Sequence, residues 1–97
     1  MTVDGWTTED DALVRTLRFG DFGEAWGFMS RVALVAERMD HHPDWRNVWG
    51  RVEMRLTTHD ADGGAGGLTD KDRRLAEAVN RILAERGGGR AEGAGGG

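Results

Sequence analysis

The chain has 97 residues, a net charge of −4 and no cysteine, which predicts one domain and excludes disulfides, thiolate catalysis and thiolate metal sites. No apolar run approaches the roughly 20 residues that span a membrane, and no basic-then-apolar signal stretch opens the chain. No lysine- or arginine-rich block offers nucleic acid a basic patch. A soluble cytoplasmic protein with no membrane or nucleic-acid partner is therefore expected. Twelve arginines stand against a single lysine, Lys71, among abundant Gly, Ala and Asp, a composition that suggests a GC-rich bacterial genome.

Trp6 and the acidic Glu9-Asp10-Asp11 open the chain with a turn or a short strand. From Ala12 to Phe19, Leu17 and Phe19 alternate with Thr16 and Arg18 beside β-branched Val14, which predicts a strand. Asp21 and Glu24 have capping-box spacing and start a helix at Phe22. Its apolar positions (Ala25, Trp26, Phe28, Met29, Val32, Ala33, Val35, Ala36, Met39) sweep an arc of roughly 180°, wider than the ~100° stripe of a helix packed on one face. The helix is expected to pack on a sheet and also on a second surface, either internal or in another subunit. Pro43 lacks an N–H and disfavours helical geometry at His42, so the helix must stop near His41.

Asn47 to Thr58 alternates Val52, Met54 and Leu56 against Arg51, Glu53, Arg55 and Thr57, which predicts one half-buried strand carrying Thr58 and His59 to its end. Asp60 to Gly67 is a glycine-rich loop. Thr69 and Asp72 form a second capping box, and Leu75, Val79, Ile82 and Leu83 form one helical stripe that ends at Gly87. Residues 87–97 are mostly glycine and are expected to be a disordered tail behind a folded domain of residues 1–86. The pattern as a whole predicts an α+β fold, an antiparallel β-sheet with helices packed on one face. A domain this small buries only roughly 60–65% of its unfolded surface, so self-association would help it.

The only three histidines are His41 and His42, followed by Pro43, and His59 seventeen positions further on. Imidazole is the side chain best suited to moving protons near neutral pH. The C-terminal end of a helix carries partial negative charge, and Asp40 adds a carboxylate, so a histidine there is suited to donating a proton to a leaving hydroxyl. The blander possibility is that His41 and His42 only cap carbonyls and that His59 is a solvated loop residue. Three imidazoles also make a zinc set conceivable, but adjacent side chains of an extended segment point apart. Asp72 reads locally as the reciprocal cap of Thr69. Glu37 lies one turn before His41, where it contacts a ligand or pairs with Arg31 or Arg38. The glycine loop lacks the Gly-Lys-Ser/Thr of a phosphate cradle. Asp60-Ala61-Asp62 begins like a calcium loop but has Gly64 and Lys71 where ligands are required.

Glu37-Arg38-Met39-Asp40-His41-His42-Pro43-Asp44-Trp45, the strand into Thr57-Thr58-His59, and Gly67-Leu68-Thr69-Asp70-Lys71-Asp72 together resemble the pterin-4a-carbinolamine dehydratase family. Asp21-Phe22, Ala25, Gly27-Phe28-Met29 and Arg31-Val32-Ala33-Leu34 resemble it as well, and the likeness extends from Trp6 to about Leu83. It implies dehydration of 4a-hydroxytetrahydropterin to quinonoid dihydropterin, recycling the pterin cofactor of aromatic amino-acid hydroxylases. It further implies catalysis by His41, His42 and His59, with Asp72 orienting one imidazole and fixing its tautomer. Glu37, Pro43, Trp45 and the Thr57-Thr58 segment become candidate substrate contacts. Neither a metal nor an organic cofactor is expected, and the chain should form a homodimer or homotetramer. The alternative is a non-catalytic pterin-binding module or a dimerisation and partner-binding module. This chain departs from the family pattern at Trp49-Gly50, where many members carry Tyr-Asn. The 60–67 loop is about four residues longer than in mammalian-type members.

Overall fold

A computed structural model of the chain describes residues 1–59 and 66–85. The expected tail of residues 87–97, and residues 60–65 of the expected loop, lie outside the described residues.

Two strands open the chain, β1 (Thr7–Glu9) and β2 (Ala12–Arg18). They pair antiparallel with Glu9 opposite Ala12, so Asp10 and Asp11 make the turn. Asp10 takes φ 54° there, a conformation that Asp tolerates better than most non-glycine residues. Helix α1 follows at Phe22–Met39. Its start is tied as the sequence predicts. The Asp21 carboxylate accepts the Glu24 N–H at 2.8 Å, while the Glu24 carboxylate accepts the Gly20 N–H at 2.8 Å. Asp40 closes the helix in the left-handed region, φ 53° and ψ 42°. The Asp40 N–H bonds to the Glu37 carbonyl, and the His41 N–H reaches back to that of Ala36. This is a Schellman turn with Asp where glycine usually stands.

The expected single strand from Asn47 to Thr58 is corrected. It is a hairpin of β3 (Asp44–Val48) and β4 (Arg51–Leu56) with Val48 opposite Arg51, so Trp49 and Gly50 form a two-residue turn. Trp49 has φ 58°. The Asn47 amide donates to the Trp49 and Arg51 carbonyls, both at 2.9 Å, and braces the turn. Gly50 is required by space, because a Cβ there would sit 2.5 Å from the Phe19 carbonyl oxygen. The sheet order is β1-β2-β4-β3, antiparallel throughout. Helix α2 (Asp70–Glu85) completes the fold.

Cross-strand register decides the faces. Leu13 lies opposite Leu56, Leu17 opposite Val52, and Trp45 opposite Met54, so these residues share one face of the pleat. They join Phe28, Val32 and Ala36 of α1 and Leu75, Val79 and Ile82 of α2 in one core cluster, with the Phe19 and Phe28 ring centres 5.0 Å apart. Burying a large apolar side chain of this kind contributes roughly 1.5–3 kcal/mol. The α+β architecture with both helices on one face is thus the observed one. Only part of the apolar surface of α1 is used by this core: Trp26 of the wide arc is 58% exposed, Phe22 at its start 52%, and Leu34, outside the arc, 65%.

Candidate active site

Three pieces of chain converge at one end of the sheet. The Schellman turn sets the direction of His41, His42 and Pro43 as the chain leaves α1. Strand β4 delivers Thr57, Thr58 and His59. The first turn of α2 brings Lys71 and Asp72. Thr58 and Gly67 exchange two backbone hydrogen bonds, Thr58 N–H to Gly67 O at 2.8 Å and Gly67 N–H to Thr58 O at 3.1 Å. These bonds hold the end of β4 against the start of α2.

All three histidines line one cleft of about 470 Å³, together with Asp40, Pro43, Asp44, Thr57, Thr58 and Lys71. Their settings differ. His41 is 8% exposed, and its Nε2 lies 2.6 Å from Oδ1 of Asp72, which is fully buried. The other Asp72 oxygen, Oδ2, accepts the Thr58 hydroxyl at 2.7 Å and the Thr69 backbone N–H at 2.9 Å. Asp72 therefore caps α2 with one oxygen and holds His41 with the other. His42 is exposed, with Nε2 3.0 Å from Oε1 of Glu37. His59 is exposed at the cleft rim.

The candidate contacts divide in the same way. Pro43, Thr57 and Thr58 border the cleft. The Thr57 hydroxyl donates to the Asp11 carbonyl at 2.7 Å, with the Gly67 carbonyl farther off at 3.3 Å, so its backbone is what the cleft can use. Glu37 pairs with His42, while Arg31 pairs with Glu85 at 2.6 Å; the expected partnership of Glu37 with Arg31 or Arg38 is replaced. Trp45 packs against the core and borders a different cleft, about 520 Å³, beside Arg15, Arg46 and Met54. The histidine cleft does not include it. Arg15 borders that cleft too, but its guanidinium lies elsewhere, with Nη1 2.6 Å from Oδ1 of Asn80 and its centre 5.7 Å from the Trp6 ring centre. Burial pushes its pKa below the ordinary arginine value.

Sequence reasoning missed Lys71 and Thr69. Lys71 carried a signal, being the only lysine and adjacent to Asp72. Thr69 reads from sequence as a cap and as part of the family motif, and its hydroxyl also lies 2.7 Å from that of Thr58. As chemistry, the cleft offers several proton-transfer groups side by side, one of them held by a buried carboxylate, which is the equipment of general acid–base catalysis.

A family model described as pterin 4 alpha carbinolamine dehydratase matches residues 1–82. A protein of Nitrobacter winogradskyi, provisionally named a pterin-4-alpha-carbinolamine dehydratase, is 56% identical over 86 residues, covering 87% of this chain and 81% of the relative. A protein of Novosphingobium aromaticivorans with the same provisional name is 55% identical over 80 residues, 80% of this chain and 79% of the relative. The crystal structure of a Brucella melitensis protein described as a transcriptional coactivator/pterin dehydratase superimposes with a TM-score of 0.75 at 41% identity, covering 82% of this chain and 83% of that one.

Proposed function

The chain belongs to the pterin 4 alpha carbinolamine dehydratase family, and on that premise we propose that it is a hydro-lyase that dehydrates 4a-hydroxytetrahydropterin to quinonoid dihydropterin and water. The observation that carries the reading is that every histidine of the chain borders one cleft and that one of them is bonded to a fully buried carboxylate. The reaction removes a hydroxyl from C4a and a proton from N5, so it needs an acid at the first and a base near the second. His41 and His59 carry those transfers in this proposal, and His42 orients the pterin. Asp72 positions His41, and Pro43 with the Thr57-Thr58 backbone borders the flat ring. The natural supply of substrate is turnover of a pterin-dependent aromatic hydroxylase, in the cytoplasm. Among the described residues no helix is long and apolar enough to cross a membrane. The exposed stripe of Phe22, Trp26 and Leu34 supports a homodimer or homotetramer.

The test is the decay of freshly made 4a-hydroxytetrahydropterin, followed by ultraviolet absorbance with and without the protein. Acceleration that disappears in His41→Ala and His59→Ala variants is the expected result. Pterin binding without acceleration would replace the enzyme with a pterin-binding or partner-binding module.

A further inference from the structure

The hydrogen bonds around Asp72 carry information about which ring nitrogen of His41 is free to work. The Lys71 backbone N–H can only donate, and it ends on Thr69 Oγ1 at 3.2 Å. Thr69 Oγ1 lies 2.7 Å from Thr58 Oγ1, which lies 2.7 Å from Asp72 Oδ2. A carboxylate only accepts, and a hydroxyl has one proton to give. Thr58 therefore spends its proton on Asp72 and accepts from Thr69, which accepts from Lys71. The protons all run one way, toward Asp72. The Thr69 backbone N–H adds a second donor on Oδ2 at 2.9 Å. Oδ1 remains, 2.6 Å from His41 Nε2, and an acceptor oxygen at that distance calls for an N–H. Nε2 thus holds the proton, and a neutral His41 ring keeps a bare lone pair on Nδ1.

We propose that Nδ1 is the working atom of His41 and that Thr58 and Thr69 are positioning residues that keep it so by orienting Asp72. What Nδ1 does rests on the dehydratase reading; where the proton sits does not. In the reaction, Nδ1 takes the proton from N5. The electron pair of the N5–H bond forms the C4a–N5 double bond, and the C4a–O bond breaks. The hydroxyl leaves as water with a proton from a second imidazole of the cleft. His41 is then an imidazolium facing Asp72, as in other histidine–carboxylate pairs where the carboxylate steadies the charge that forms. It releases its Nδ1 proton to solvent, the second imidazole regains one, and the protein returns to its starting state with no net proton consumed.

Imidazole ¹⁵N NMR of the full chain tests this directly. The expected spectrum shows His41 as a single tautomer, protonated at Nε2, with a slowly exchanging proton. Thr58→Val keeps the shape and removes the hydroxyl. It should mix the tautomers and lower kcat about tenfold or more with little change in KM, and Thr58→Ser should restore both. Thr69→Ala removes the preceding donor and should move both readings in the same direction, which decides the matter even if Thr58→Val does not fold. A proton on Nδ1 in the wild type, or unchanged tautomer and kcat in both hydroxyl deletions, would overturn the proposal. A wild type without turnover but with the Nε2–H tautomer would overturn the dehydratase reading and leave the proton assignment standing.

Discussion

His41 and His42 are neighbours in the chain, and each places Nε2 against a carboxylate, yet their surroundings have little in common. His41 meets a carboxylate with no exposure at 2.6 Å. His42 meets one at 3.0 Å with its own side chain 58% exposed and that of Glu37 81% exposed. Water screens the second pair and competes for its hydrogen bonds, so such contacts are worth roughly 0–1 kcal/mol. The first pair sits in a network centred on a fully buried carboxylate, and loss of that carboxylate strands the buried groups around it. Burial, rather than the kind of contact, separates a wall of the cleft that is held in one geometry from a wall free to adapt to a ligand.

The largest expected effect comes from breaking the buried wall. Asp72→Ala leaves the Thr58 hydroxyl, the Thr69 N–H and the His41 ring without their acceptor, and should cost about 3–5 kcal/mol in urea denaturation. A loss below about 1 kcal/mol would erase the distinction between the two walls. Next come the histidines themselves. His41→Ala and His59→Ala should each lower dehydration turnover roughly 10²- to 10⁴-fold. His41→Ala should also destabilise the fold, while exposed His59→Ala should leave stability within about 0.5 kcal/mol. Thr57→Val, which removes the tether to Asp11, should cost about 1 kcal/mol. The smallest effect belongs to Glu37→Ala, below about 1 kcal/mol. Its difference from wild type should shrink further in 1 M NaCl, where the screening length is about 3 Å.

Much of this contrast was legible beforehand. Asp21 with Glu24, and Thr69 with Asp72, announced both helix starts, because a cap is a local interaction between residues three apart. The alternation of Val52, Met54 and Leu56 announced β4. What escaped was β3. Its inward positions Trp45 and Asn47 are only half-buried at the sheet edge, so its alternation is weak, and Trp49-Gly50 lacks the Asn-Gly or Asp-Gly that usually marks a two-residue turn. The space that demands glycine at position 50 is made by Phe19, thirty-one residues away and invisible to local pattern. The site followed the same rule. The family motif pointed to His41, His42, His59 and Asp72 by position. Local sequence offers capping for Asp72 and the resemblance offers orienting, and only three-dimensional placement puts one of its oxygens on the Thr69 N–H and the other on His41. Trp45 enters as a candidate ring contact through the family resemblance alone; it sits half-buried at the sheet edge, packed against the core.

The paired hydrogen bonds between Thr58 and Gly67 have a further consequence, for insertion. They close the chain between those residues at its neck, and the Thr57 hydroxyl fastens the same neck to the Asp11 carbonyl. Closure entropy grows only with the logarithm of length, about 0.6 kcal/mol per doubling. A dozen added residues beyond His59 would therefore cost about 1 kcal/mol. Because the neck is made by Thr58 and Gly67 themselves, such an insertion should leave Asp72 and His41 where they are, which makes the position just after His59 a natural point to attach an epitope or a fluorophore.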